Sequence, residues 1–125
     1  MTENEIAKRV LDVSFDIHRG LGPGLLETVY EVILYHKLKA MDLKVERQVS
    51  VPITFDGIEF DEGFCADLIV ENKVIIELKS VKALEPVHPK QLLTYLRLKD
   101  LRLGLLINFN EELLKNGEHG RGGLL

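Results

Sequence analysis

Residues 65–80 read C-A-D-L-I-V-E-N-K-V-I-I-E-L-K-S. Two apolar runs rich in β-branched residues, 68–70 and 74–78, flank the turn-prone Glu71-Asn72-Lys73, which is the pattern of a β-hairpin. Charges interrupt it. Asp67 opens the first run, and Glu77 and Lys79 break the second, where so apolar a strand is expected to be buried on both faces. Alternation along a strand sets Glu77 and Lys79 on one face and Leu78 on the other. A three-residue loop pairs Val70 with Val74 and puts Asp67 opposite Glu77, whereas an unbulged two-residue loop separates the two carboxylates. The three-residue register also collects Leu68, Val70, Val74, Ile76 and Leu78 on one apolar face, so packing favours it.

Two carboxylates across a strand pair, with a lysine two residues beyond, suit a hard divalent cation. Mg²⁺ takes oxygen ligands and commonly uses one or two carboxylates. Such an ion polarises a phosphodiester and lowers the pKa of a bound water, and Lys79 is placed to orient that water or steady charge on phosphoryl oxygens. The alternative is an ion pair of Lys79 with Glu77 or Asp67 at the rim of a sheet, and these three residues alone do not choose between the two.

Around this stretch the composition is that of a soluble protein of one domain, residues 1–125. No apolar run approaches the roughly 20 residues that span a bilayer. A polar N-terminus without a signal segment, and a single cysteine with no disulfide partner, point to a cytoplasmic protein with no membrane attachment. Cys65 itself is expected as a small core residue. The net charge of -4 argues against a protein that coats nucleic acid. The charge is unevenly placed: residues 1–62 carry 12 acids and 7 bases, giving -5, and residues 63–125 carry 8 acids and 9 bases, giving +1. Lys79, Lys82, Lys90, Arg97, Lys99 and Arg102 form a base-rich tract directly behind the carboxylates.

Upstream, Ile6, Val10, Val13 and Ile17 mark an amphipathic helix over residues 3–19, with Thr2 and Glu5 as a capping box and Gly20 as its stop. His18, near its end, is expected to be solvated or capping. Gly20-Leu-Gly-Pro-Gly24 is a helix-to-helix turn, since it lacks the preceding strand and the Lys-Ser/Thr ending of a phosphate loop. A second helix over residues 25–41 is expected to bury Leu26, Val29, Ile33 and Leu38, leaving Glu27 and Tyr30 as surface neighbours one turn apart. Residues 45–50 and 51–55 favour strand, with Pro52 at an edge or bulge. Asp56-Gly57 is a two-residue hairpin signal before 58–60, and Asp61-Glu62-Gly63 reads as a further turn. Downstream, Pro89 suits the first position of a helix over residues 89–98, on which Gln91 and Tyr95 share a face and Leu92 and Leu96 pack on the sheet. Residues 102–109 form a buried strand parallel to the one ending at Lys79, residues 111–115 a helical turn or loop, and residues 116–125 a flexible tail in which a completing edge strand is not expected.

Asp67 followed by Glu77-Leu78-Lys79 resembles the D-x(n)-(D/E)-x-K core of the PD-(D/E)XK nuclease superfamily. Gly24-Leu-Leu-Glu27-Thr-Val-Tyr30 resembles the signature of the GxxExxY protein family, and Gln91-Leu-Leu-Thr-Tyr95 the Q-x-x-x-Y helix motif of the RecB-like branch. The resemblance implies a nuclease that cuts DNA or RNA with Mg²⁺ or Mn²⁺. It casts Asp67, Glu77 and Glu27 as metal ligands, with Glu27 alternatively positioning Lys79, and Lys79 as the catalytic lysine. Gln91, Tyr95 and Tyr30 become substrate-binding residues, Tyr30 chiefly as a hydrogen-bonding prop. The element order α-α-β-β-β-β-α-β gives an α/β sandwich, a mixed β-sheet flanked by helices, consistent with a restriction-endonuclease-like fold. A second class of function is a nucleic-acid-binding or protein-interaction module without efficient turnover. In a third, the same acids hold a homodimer together through ion pairs.

Overall fold

The computed structural model describes residues 1–112 and the backbone of residues 122–124. Among these, the chain forms helices α1 (Glu3–Leu21), α2 (Glu27–Lys39) and α3 (Val87–Lys99) and strands β1 (Val45–Phe55), β2 (Ile58–Val70), β3 (Val74–Lys79), β4 (Leu103–Asn108) and β5 (Gly122–Leu124). The strands make one sheet in the order β1-β2-β3-β4-β5. β3 is its middle, antiparallel to β2 and parallel to β4, with α3 as the crossover. The fold is therefore the expected α/β sandwich with a mixed sheet.

Burial on both faces explains why β3 is almost unbroken in its apolarity. On one face Leu68, Val70, Val74, Ile76, Leu78, Leu105 and Ile107 join Ile6, Val10 and Ile17 of α1 and Tyr30, Leu34 and Leu38 of α2. On the other, Ala66, Ile69, Ile75 and Leu106 meet Leu92 and Leu96 of α3. α3 lies so close to β4 that a Cβ on Gly104 would come within 2.7 Å of the Leu92 side chain.

The turn chemistry is as read. Val70 pairs with Val74 and Leu68 with Ile76, which is the three-residue register, and Glu71 and Asn72 take positive φ to close it. Phe55 pairs with Ile58 across Asp56 (φ 51) and Gly57 (φ 75), as a hairpin with two positive-φ residues requires. Thr2 caps α1 by accepting the Glu5 N–H at 3.2 Å.

Other expectations are corrected. Asp61-Glu62-Gly63 is no turn: β2 runs straight through it, and the segments 58–60 and 64 onward are one strand. Between Val51 and Ile53 the pairing with β2 shifts, so the residues between Phe60 and Phe64 are absorbed as a bulge opposite Pro52, which has no N–H to pair. Gly63 permits the approach, because a Cβ there would meet the Val51 carbonyl at 2.7 Å and Ile53 at 2.6 Å. α1 continues to Leu21 and stops at Gly22 (φ 69) rather than Gly20. Its His18 is buried, with Nε2 2.7 Å from the Glu111 carbonyl oxygen and its ring beside Phe109.

α2 buries Tyr30, Glu31, Leu34 and Leu38, while Leu26 is 76% exposed and Val29 lies at the surface. Its inward stripe is turned because Tyr30 stacks on Phe109 with centroids 4.4 Å apart, making Tyr30 a core residue. α3 starts at Val87, two residues before Pro89, which the first turn tolerates because N–H groups there have no helical partner. β5 pairs in parallel with β4, so an added edge strand is present where none was expected. The remainder of the expected 116–125 tail, and residues 113–115 of the expected 111–115 turn, lie outside the described residues.

Candidate active site

The backbone ladder between β2 and β3 runs from Val70–Val74 through Ile69–Ile75 to Leu68–Ile76 and stops there. At the next step Asp67 stands opposite Glu77, and carboxylates take over the unpaired amides. The Leu78 N–H donates to Asp67 Oδ2 at 2.9 Å, and the Asp67 N–H donates to Glu77 Oε1 at 3.2 Å. On the other flank of β2 the pairing skips the same residue: Arg47 pairs with Leu68 and Val49 with Ala66, leaving Gln48 beside Asp67 with φ 49. A non-glycine residue held at positive φ costs about 1–3 kcal/mol and tends to mark a functional position. The sheet thus opens on both sides of Asp67.

Glu77 is only 7% exposed. Burial pushes its carboxyl up to about 8, and the charge of Asp67 adds to the rise. The Asp67 N–H and the Lys79 ammonium pull the other way without restoring it. A buried acid beside the half-buried Asp67 is disfavoured in its charged form, and a cation between the two would offset both the repulsion and the desolvation. Their hard oxygen atoms fit a small divalent ion of the Mg²⁺ kind, which keeps several of its waters. Among the described residues no group of three His, Cys, Asp or Glu side chains forms a metal-holding cluster. Glu27 does not join Asp67 and Glu77 in such a group, so what the described residues bring together is a carboxylate pair.

The other expected residues gather around this pair at different depths. Lys79 is half-buried and ends β3 on the same face as Glu77. Glu27 is exposed at the start of α2, where its Oε1 accepts the Ser80 N–H at 3.2 Å. Ser80 Oγ in turn donates to the Leu25 carbonyl at 2.6 Å, so the residue after Lys79 is stitched to the N-terminus of α2. The phenol of Tyr95 is raised above its usual range by partial burial and then by the charges of Glu77 and Asp67. Its ring packs edge-on against Phe64 at 4.6 Å. Gln91 is exposed one turn earlier on α3. Tyr30 stands apart, fully buried: its hydroxyl donates to the Gly22 carbonyl at 2.6 Å and accepts the Leu25 N–H at 3.2 Å. That fixes the turn before Glu27, which is the propping role.

Three neighbours escaped the sequence reading. Cys65 is exposed rather than in the core, and its thiol donates to Gln48 Oε1 at 3.1 Å. Desolvation and the charges of Asp67, Glu77 and Glu31 hold that thiol above its usual range, so it is a poor nucleophile. Glu31 is buried on α2 and takes Arg47 through both Nε (3.1 Å) and Nη2 (2.9 Å). Gln48 donates through Nε2 to both Glu31 Oε1 and Asp67 Oδ1. The available signal was a polar Arg47-Gln48 pair within a strand, together with an acid one turn after Glu27.

A model of the PD-(D/E)XK nuclease superfamily matches residues 4–120. Neither a curated protein nor a solved structure matches the chain.

Proposed function

Because the chain belongs to the PD-(D/E)XK nuclease superfamily, we propose that it hydrolyses phosphodiester bonds of DNA or RNA at the Asp67–Glu77–Lys79 end of β3. The single observation that carries this reading is the opening of the sheet at Asp67, where two carboxylates meet and Glu77 is pushed up to about 8 by burial and then by the charge of Asp67. Asp67 and Glu77 would hold Mg²⁺ or Mn²⁺, with the Leu78 carbonyl as a candidate to add to them. When bound, the ion polarises the phosphodiester and lowers the pKa of a water.

Lys79 orients the attacking water and steadies negative charge on the phosphoryl oxygens. Glu27, tied to the Ser80 N–H, fixes the backbone that carries Lys79. Tyr95 and Gln91 line the substrate side of the cleft, and Tyr30 holds the turn that presents Glu27. Lys82, Lys90, Arg97, Lys99 and Arg102 are exposed, and among the described residues none of them has an acidic partner. They are available to phosphates. Within the superfamily we place the chain with the GxxExxY proteins of the RecB-like branch, on Gly24, Glu27 and Tyr30 and on Gln91 and Tyr95.

A second reading, an interaction module without turnover, draws on the net charge of -4 and on the exposed tip of the β1–β2 hairpin, where Phe55, Ile58 and Phe60 stand among Asp56, Glu59, Asp61 and Glu62. Incubation with labelled single- and double-stranded DNA and RNA plus Mg²⁺ or Mn²⁺ separates the two. Cleavage that Lys79→Ala abolishes supports the nuclease; cleavage that survives Lys79→Ala unchanged rules the assignment out.

A further inference from the structure

We propose that Gln48 is a positioning residue that holds the Asp67 carboxylate in its metal-binding orientation by tying it to the buried Glu31, which the surface residue Arg47 pairs with; this rests on the reading of Asp67 and Glu77 as the ion-binding pair. Three independent features converge on it. Gln48 sits opposite Asp67 at the one point where β1 and β2 lose their pairing short of the Pro52 bulge. Its backbone is held at φ 49, a conformation that a glutamine adopts only when its surroundings impose it. Its amide is engaged at both ends: Nε2 donates to Glu31 Oε1 and to Asp67 Oδ1, and Oε1 accepts the Cys65 thiol.

The chain of contacts has a physical logic. Glu31 is buried on α2 and its Oε2 is gripped by two nitrogens of Arg47, which holds its carboxylate in one orientation. Gln48 passes that fixity on to Asp67 Oδ1, while the Leu78 N–H holds Oδ2. An acid gripped at both oxygens by the protein presents its remaining lone pairs in one direction only, which is what a ligand carboxylate needs. A neutral amide performs this without adding charge, whereas a lysine or arginine here would neutralise the carboxylate and compete with the ion.

The test uses Gln48→Gly, in which positive φ is unstrained, and Gln48→Asn, which tolerates that φ but is one methylene too short to bridge Glu31 and Asp67. The expected result is a melting temperature equal to or above wild type for Gln48→Gly, with Mn²⁺ affinity by calorimetry lowered about 10-fold in both variants. A residue with a purely structural role gives the opposite pattern, a lower melting temperature and unchanged Mn²⁺ affinity, and that pattern overturns the proposal. A metal-free readout runs beside it: the side-chain amide resonances of Gln48 shift in both Glu31→Gln and Asp67→Asn. Resonances that stay in place in both variants overturn the link. Wild-type protein that takes up no Mn²⁺ sinks the ion-binding reading, and with it the role given to Gln48, even where the amide resonances show the link itself to be intact.

Discussion

The two faces of the central sheet are built from the same strands but do different work. Beneath α1 and α2 the residues of β2, β3 and β4 are wholly apolar and sealed. Beneath α3 the same strands carry Ile69 and Ile75 and, towards the end of β3, Glu77 and the half-buried Lys79, with Asp67 across from Glu77. One face supplies the stability that lets the other hold two acids in an unfavourable place. The period of two along β3 does the sorting: Leu78, between Glu77 and Lys79, is buried on the sealed side.

The contrast can be broken most forcefully on the sealed face. Ile76→Ala, at a fully buried position, is expected to cost about 2–5 kcal/mol in urea unfolding. Mn²⁺ affinity of the folded protein should stay within about twofold of wild type; a large loss would mean that the faces are coupled.

On the open face the decisive variable is pH. Glu77 is raised from an ordinary 4.5 to about 8 in the folded protein, so the native state binds that proton more tightly than the unfolded chain does. Stability from this group is complete below about 4.5 and is lost as pH rises toward 8. Metal-free wild type should therefore lose on the order of a few kcal/mol between pH 5 and pH 9, while Glu77→Gln stays flat. Urea midpoints measured in chelator at the two pH values check this. Adding Mg²⁺ at pH 9 should restore wild type and leave Glu77→Gln unmoved.

Smaller effects sharpen the boundary between the faces. Tyr30→Phe keeps the stack on Phe109 but frees the Gly22 carbonyl and the Leu25 N–H, for an expected loss of about 1–2 kcal/mol by thermal unfolding. Smallest for the fold are Lys90→Ala and Arg97→Ala on α3, which should change stability by less than about 0.5 kcal/mol. Each should lower the slope of nucleic-acid affinity against salt by about one, measured by fluorescence anisotropy across a salt series.

Much of this was legible in the sequence because it depends on local parity. The apolar set Leu68, Val70, Val74, Ile76 and Leu78 admits only a three-residue loop, and that loop fixes Asp67 against Glu77. Pro52 and Asp56-Gly57 carry their own backbone constraints and sit where those constraints predict. What escaped was decided by distant partners. α2 offered two apolar stripes, and Phe109, arriving from beyond β4, selected the one containing Tyr30. Asp61-Glu62-Gly63 has the composition of a turn but serves as the bulge opposite Pro52. Glu31 and Gln48 lie 17 positions apart and meet only when α2 packs beside β1, so neither residue carries a signal alone. Cys65 looked like core because its neighbours are apolar, yet it is exposed.

Pro52 has one more effect, on the behaviour of many molecules together. It lies on β1, the outermost strand on that side, next to a shift in pairing. A neighbouring chain laid along this border meets a missing donor and a local twist instead of an unbroken row of amides, so polymerisation of one sheet onto the next is discouraged where an exposed rim would otherwise invite it.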